Sequence, residues 1–202
     1  MQQQSKFRRS VNQLTIRIQK ILSLLKFWWS ATNAHGVHSP FVYQLVTRCF
    51  YEKEYKISTE FLDPKQPHFK SAKLIYKILN YLKFDEILST FSDDYNTHMA
   101  LSSSGKETRK INTNNSIKIS ENSFIFIEQL NEDIAHGLVE LLSKPPDNFV
   151  VLIRNIRHDK TTFKRWTTLQ RNTAITISID TYGHGFLFRR SGQVKEDFKI
   201  RL

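Results

Sequence analysis

Apolar residues recur at helical spacing near the start of the chain. Their intervals alternate between three and four residues, which places them on one face of an α-helix. The stripe consists of Val11, Leu14, Ile18, Ile21, Leu25 and Trp28, and Leu22 and Trp29 broaden it. Polar and basic residues lie largely away from this stripe. The pattern predicts an amphipathic helix over this part of the chain.

Further along, helical patterns alternate with short apolar runs. We predict helices over residues 41–50, 70–83, 132–143 and 161–170, and a short helix that includes Met99, Ala100 and Leu101. Ser39 and Pro40 suit the cap and the first position of the helix over 41–50. The runs 124–127 and 150–153 are typical of strands buried in a parallel sheet. Alternating residues from Ile175 to Ile179, followed by a glycine-containing turn, predict a hairpin that returns over 186–188.

Strands that alternate with helices indicate one fold class. The order predicts a doubly wound α/β sheet, mostly parallel, with a C-terminal antiparallel hairpin. A chain of 202 residues with 40% hydrophobic content can bury one core of ordinary size. We therefore expect one main domain preceded by a helical extension.

The stretch Glu86–Ser102 has the outline of a strand, a turn and a helix that together could bind a nucleotide. Such a turn normally contains glycines, because the backbone must approach the ligand closely and adopt positive φ. Phe91 and Tyr95 stand in this turn instead. We expect both aromatic side chains to occupy the space that a cofactor would fill.

Four other segments carry a family resemblance: NAHGVHSPFVYQLVTRCFY (33–51), SFIFIEQ (123–129), FVVLIRNIRHDKTTFKRWTTLQ (149–170) and ITISIDTYGHGFLFRRSGQVKEDFKIRL (175–202). Together they resemble a family of class I S-adenosylmethionine-dependent methyltransferases common in Bacteroidota. The resemblance covers nearly the whole chain from about residue 25, and HGVHSPF and the hairpin are its most specific parts. It implies a Rossmann-like domain over residues 70–202, preceded by a basic helical extension with the HGVHSPF motif over 1–69.

The departures from the family fall where the cofactor would bind. The resemblance places Ser89 where the family has an acid at the end of the first strand, and Phe91 and Tyr95 where it has glycines. Arg154 and Asn155 replace a pair of carboxylates. S-adenosylmethionine is a cation, and two like charges about 5 Å apart repel by roughly 3 kcal/mol at an effective dielectric constant near 20. We therefore expect weakened or lost cofactor binding, with S-adenosylmethionine as the ligand if there is one.

The cofactor half also looks shortened, because residues 88–124 have room for about one strand–helix–strand crossover. The alternative is an active methyltransferase that holds its cofactor through a degenerate site. Its candidate residues are Ser89, Ser92, Asp93, Asp94 and Glu128. Acidic residues ahead of a helix are, however, more often caps than ligands. No catalytic residue can be assigned.

The histidines suggest no metal site. His35 and His38 are three residues apart, but no histidine, cysteine or acid follows at a suitable local spacing. With Arg154 and Asn155, these two histidines remain candidates for the cleft, because the resemblance implies that their motif packs nearby. His98, His158 and His184 are isolated, and we expect them at the surface or at helix caps. The single cysteine excludes an internal disulfide.

The net charge of +11 is concentrated at the start of the chain. Residues 1–51 contain seven basic residues and no acidic one, which leaves +4 for the remainder. Three alternatives follow for the amphipathic helix: its apolar face docks on the domain, it lies on an anionic membrane, or its basic face binds nucleic acid. No base-reading motif accompanies it. Without a signal pattern or long apolar span, we expect a cytoplasmic protein, peripheral at the inner membrane if the helix binds lipid.

Two classes of function therefore remain. One is a methyltransferase-like binding or scaffolding module without a working cofactor site, which includes a peripheral membrane adaptor. The other is an active S-adenosylmethionine-dependent methyltransferase with unconventional contacts. A hollow above residues 89–95 would favour the enzyme.

Overall fold

The computed structural model describes residues 2–33, 36–52, 62–90, 94–111 and 117–202, and only the backbone for 2–14 and 16. Its helices are α1 (Gln2–Ser30), α2 (Pro40–Leu45), a π-helical continuation of α2 (Val46–Phe50), α3 (Phe69–Leu82), α4 (Tyr95–Ser102), α5 (Glu132–Leu141) and α6 (Lys160–Arg171). Its strands are β1 (Glu86–Ser89), β2 (Thr108–Lys110), β3 (Ser123–Ile127), β4 (Phe149–Arg154), β5 (Ile177–Asp180), β6 (His184–Arg189) and β7 (Glu196–Lys199). The elements expected from the patterns are present, with ends shifted by a few residues.

The seven strands form one mixed sheet in the order β2-β1-β3-β4-β6-β5-β7. Neighbouring strands pair in parallel except around β6, which runs antiparallel to both β4 and β5. The predicted C-terminal hairpin is the β5–β6 pair. The expected mostly parallel α/β sheet is therefore confirmed.

Helices cover both faces of this sheet, as alternation along the central strands shows. In β3, Phe124 and Phe126 join the cluster that includes α2, α3 and α4, whereas Ile125 and Ile127 join the cluster that includes α5 and α6. Strands with both faces covered need apolar residues at nearly every position. That requirement explains the continuous apolar runs of β3 and β4.

The segment after HGVHSP packs into the same core. Val42, Leu45 and Cys49 are fully buried against α3 and the sheet. Lys77 of α3 is also buried, and its ammonium group donates to the carbonyl oxygens of Phe50 (3.1 Å) and Glu52 (2.5 Å) at the end of the π-helical turn. Burial in this position lowers the pKa of Lys77, and the neighbouring Lys73 adds to the effect.

Ser39 stands at the N-cap position of α2, as predicted, but its side chain does not cap the helix. Its main-chain oxygen accepts from the amide of Tyr43 at 2.8 Å. Its buried hydroxyl has no hydrogen-bond partner among the residues that the structure describes. The helix start was therefore predicted correctly and its cap was not.

α1 contacts the rest of the protein near its C-terminal end. Phe27 and Ala31 are buried, and Tyr182 donates a hydrogen bond from its hydroxyl to the main-chain oxygen of Lys20. After the helix, Thr32 pairs with Ile200 and extends the β7 edge of the sheet. The apolar stripe is not the docked face: Ile18, Leu22 and their neighbours are exposed. Docking of the stripe on the domain, one of the three alternatives, is wrong for the residues described.

Candidate functional site

The carboxyl edge of the sheet is where α/β proteins of this kind bind ligands. Ligands bind in the crevice outside the strand ends, where successive connections leave a strand in opposite directions. Here β1 lies between β2 and β3 in the sheet. The connection after β1 therefore leads to β2 on one side, and the connection after β2 crosses back to β3 on the other side. Ser89 ends β1, Glu128 follows β3 and Arg154 ends β4. The site is therefore built from three of the predicted positions.

Arg154 is the centre of this edge, and only 1% of the residue is exposed. Its Nε donates to Ser71 Oγ of α3 at 3.1 Å, and its Nη1 donates to Glu128 Oε1 at 2.6 Å. Its Nη2 donates to Thr97 Oγ1 of α4 and lies 3.7 Å from Asp94 Oδ2. The guanidinium also lies over the Phe126 ring, 5.0 Å from its centroid. A single arginine thus joins β3, β4, α3 and α4.

The two carboxylates of the site, Asp94 and Glu128, both pair with Arg154. Asp94 is the N-cap of α4: its Oδ2 accepts from the Thr97 amide at 3.2 Å and from the Thr97 hydroxyl. The Glu128 side chain is 23% exposed, and its Oε1 faces Arg154. Its Oε2 is buried and has no hydrogen-bond partner among the described residues. A cap and a ligand were the two roles considered for Asp94. The structure shows Asp94 as a cap.

These contacts change the electrostatic expectation for Arg154. The sequence suggested that a guanidinium in place of carboxylates would repel a cationic ligand. The structure pairs that guanidinium with two carboxylates at 2.6 and 3.7 Å, so its charge is compensated locally. Repulsion by Arg154 is therefore a weaker argument against a cationic ligand than the sequence suggested.

The ends of β1 and β3 are also tied together. The Thr90 amide donates to Phe126 O at 2.9 Å, and the Glu128 amide donates to Thr90 Oγ1 at 2.8 Å. Ser89 is buried, and its hydroxyl donates to the main-chain oxygen of Thr90. The main-chain amide near Glu128 is thus occupied by Thr90.

Several predicted positions lie elsewhere. Tyr95 does not fill the crevice: it is 51% exposed, because α4 begins at this residue and buries the opposite side, including Ala100. Asn155 is exposed, and its amide donates to Gly183 O at 2.6 Å. His38 is also exposed. His35, Phe91, Ser92 and Asp93 lie outside the described residues.

His184 belongs to the network, although we expected it at the surface or at a cap. Ser71 Oγ lies 2.7 Å from His184 Nε2. Ser71 Oγ also accepts from Arg154 Nε, and the imidazole tautomer decides which atom donates in the contact between Ser71 and His184. Burial lowers the pKa of His184 to about 4, and the charges of Arg154 and His68 act in the same direction. The imidazole is therefore neutral at pH 7.

A cavity of about 420 Å³ lies beside His184. Its lining combines the aromatic residues Phe50 and Tyr51 with Lys70 and Lys73 of α3. Lys77 also lines it, although its ammonium group is used by main-chain carbonyls. The cavity lies beside the first residue of β6, and its lining includes no residue of β1. This cavity is therefore displaced from the predicted cofactor position.

Sequence reasoning found Arg154 but missed Ser71, Thr97 and His184. An arginine that ends a fully apolar strand must find acceptors, which is a usable signal for a buried network. Thr97 and Ser71 supply two of the acceptors and lie 57 and 83 positions from Arg154 along the chain. No local pattern marks them.

The described residues contain no cluster of three or more histidine, cysteine, aspartate or glutamate side chains that could hold a metal ion. None of their helices is both long and apolar enough to cross a bilayer. Comparisons with family models, curated proteins and solved structures found no match for the chain.

Proposed function

We propose that this protein is a class I methyltransferase-like module that has lost S-adenosylmethionine binding and acts as a binding or scaffolding protein. The family resemblance of HGVHSPF and the C-terminal hairpin supports the class. A mostly parallel seven-stranded sheet whose antiparallel strand lies in that hairpin is compatible with it. These observations support the family and the fold. The functional part of the proposal rests on the site.

The single observation that carries the loss of cofactor is the position of the Arg154 guanidinium. It lies between Glu128, which follows β3, and the first turn of α4. In a nucleotide-binding fold this place belongs to the ligand, because strand ends and a helix N-terminus converge there. Here the Arg154 side chain, which is 1% exposed, lies among these groups, and this supports the proposed loss of cofactor binding.

Moving that side chain aside would be costly. Breaking a buried ion pair costs about 3–5 kcal/mol when one charge is left without its partner. That cost corresponds to roughly two to four orders of magnitude in Kd. A ligand of micromolar Kd would therefore be weakened to a Kd of roughly 0.1–10 mM.

One observation favours the enzyme as a second candidate. Glu128 Oε2 is buried without a hydrogen-bond partner among the described residues, so it could accept a hydrogen bond from a ligand hydroxyl. In that case S-adenosylmethionine would bind through Glu128, with Asp94 and Arg154 as neighbours. The two proposals make opposite predictions for ligand-induced stabilisation.

Thermal unfolding with S-adenosylmethionine and S-adenosylhomocysteine separates them. A ligand at a hundred times its Kd stabilises the folded state by about 2.7 kcal/mol. That gain raises Tm by several degrees for a chain of this size. We expect no rise for wild type at submillimolar ligand. A saturable rise that Glu128→Gln abolishes would establish the second candidate instead.

A further inference from the structure

The apolar stripe of α1 is exposed to solvent over its whole described length. The exposed fractions are 49% for Ile18, 58% for Ile21, 59% for Leu22, 52% for Leu25, 53% for Trp28 and 91% for Trp29. Single exposed apolar residues need no explanation, but a contiguous patch marks an interaction surface. Six large apolar side chains within three turns of one helix form such a patch.

The stripe faces away from the body of the protein. Phe27 is 5% exposed, packs on Tyr182 with ring centroids 5.4 Å apart and lies beneath the Arg157 guanidinium. Phe27 and Ile18 are nine residues apart, which at 3.6 residues per turn places them on opposite sides of the helix. The Phe27 anchor therefore fixes α1 with its apolar face outward.

Basic residues flank this outward face. Arg17 precedes Ile18 and Lys26 follows Leu25, so each lies about 100° around the helix from a stripe residue, on opposite flanks. Both are exposed. α1 as a whole contains Lys6, Arg8, Arg9, Arg17, Lys20 and Lys26 and no acidic residue. The surface is thus apolar at its centre and cationic at its edges.

We propose that α1 binds the surface of an anionic lipid bilayer, with its apolar face in the acyl boundary and its basic flanks at the headgroups. Interfacial helices have this arrangement, and long basic side chains reach from the boundary to the phosphates. Tryptophan prefers the same depth, because its ring is apolar and its N–H is polar. This inference does not depend on whether the fold binds a cofactor.

The observations favour a membrane over other occupants. A nucleic acid would use the positive charge and leave the six exposed apolar side chains without a role. A second copy of α1 would cover the apolar face but bring two sets of basic flanks together without any acid to pair them. An anionic bilayer satisfies both the apolar centre and the charged edges.

Co-sedimentation with vesicles tests the proposal on the full chain. Wild type should bind phosphatidylcholine vesicles that contain phosphatidylglycerol at low salt, and should bind pure phosphatidylcholine vesicles much more weakly. Because each basic residue near an anionic surface contributes about fivefold to affinity, Arg17→Gln with Lys26→Gln should weaken binding roughly 25-fold. Lys164→Gln with Arg171→Gln on α6 changes the charge equally and should leave binding unchanged.

Tryptophan fluorescence reports insertion as distinct from surface adsorption. The chain has three tryptophans, and Trp166 is buried, so any shift on adding vesicles comes from Trp28 and Trp29. We expect a blue shift with anionic vesicles, and Trp28→Ser with Trp29→Ser should abolish it and weaken binding at least tenfold. Unchanged circular dichroism would show that the variants fold.

Three results would overturn the proposal. The first is no binding to anionic vesicles at low salt. The second is equal loss of binding in the α6 control variant, which would show that net charge alone is responsible. The third is a concentration-dependent dimer, or a duplex DNA complex, that forms while vesicle binding and the blue shift are absent.

Discussion

Replacing Arg154 with methionine removes the charge at the centre of the carboxyl edge and keeps much of the side-chain volume. The variant leaves Glu128 Oε1 without its 2.6 Å donor and Asp94 without its nearby cation. Ser71 and Thr97 each lose the donor that now reaches their hydroxyl oxygens. The substitution thus measures the free-energy cost of leaving all of these groups without the guanidinium.

The size of the effect follows from burial. Removing one partner of a buried ion pair typically costs about 3–5 kcal/mol. The Glu128 side chain is 23% exposed, so water can partly solvate it in the variant and the lower end applies. The methionine adds apolar burial that offsets part of the loss. We expect Arg154→Met to reduce the free energy of unfolding by about 3 kcal/mol.

Urea unfolding followed by circular dichroism measures this value. Arg165→Met is the matched control, because Arg165 pairs with Glu132 at 3.5 Å in a contact whose side chains are 26% and 89% exposed. Exposed ion pairs contribute about 0–1 kcal/mol, so the control should change little. Glu128→Gln combined with Arg154→Met should be less destabilising than the sum of the single changes, by about 1–3 kcal/mol.

Equal and small effects of Arg154→Met and Arg165→Met would refute this reasoning. They would mean that the Arg154 guanidinium is solvated in solution and that the network does not hold the carboxyl edge together. Strict additivity of the double variant would contradict the Arg154–Glu128 contact in particular.

Two further predictions concern other parts of the fold. Gly185→Ala should cost about 1–3 kcal/mol in urea unfolding, because a Cβ there would lie 2.5 Å from the buried Trp166 ring, whereas Gly183→Ala has open space and should be neutral. Burial raises the pKa of Glu86, but hydrogen bonds from the Ser120 amide, Arg109 and two serine hydroxyls outweigh it and lower the pKa to about 2. Wild type should therefore be more stable than Glu86→Gln above pH 4.5, and this advantage should disappear as pH falls to about 2; an advantage that persists at pH 2 would contradict it.

Most secondary structure could be predicted because it depends on local periodicity. The continuous apolar runs of β3 and β4 indicated strands covered on both faces, and the clusters on either side of Phe124 and Ile125 confirm this. The helices over 70–83 and 161–170 were predicted within one residue of their observed ends. In each case the pattern that identifies the element also creates its buried face.

The site was predictable only at positions that the family resemblance marks. Arg154 stood out because the family resemblance has a carboxylate at its position. Its compensation by Ser71, Thr97 and Glu128 depends on the packing of α3 and α4 against the sheet, which no local spacing encodes. For the same reason, the isolated His184 gave no sign that β6 would bring it to Ser71.

The wrong prediction for Tyr95 and the undecided orientation of α1 have separate physical causes. Tyr95 was expected inside the crevice, but it is the first residue of α4 and points away from the buried side of that helix. The stripe on α1 was correctly recognised, yet periodicity does not reveal which face docks. The contact of Phe27 with Tyr182 and Arg157, which are far along the chain, determines that orientation.

Calorimetric titration of the wild-type protein with S-adenosylhomocysteine tests the central claim most directly. That claim is that Arg154 and its carboxylate partners occupy the position of the cofactor. The account predicts no saturable heat at submillimolar ligand. A one-to-one isotherm with micromolar Kd would contradict it and would show that the carboxyl edge still accommodates the cofactor beside the guanidinium.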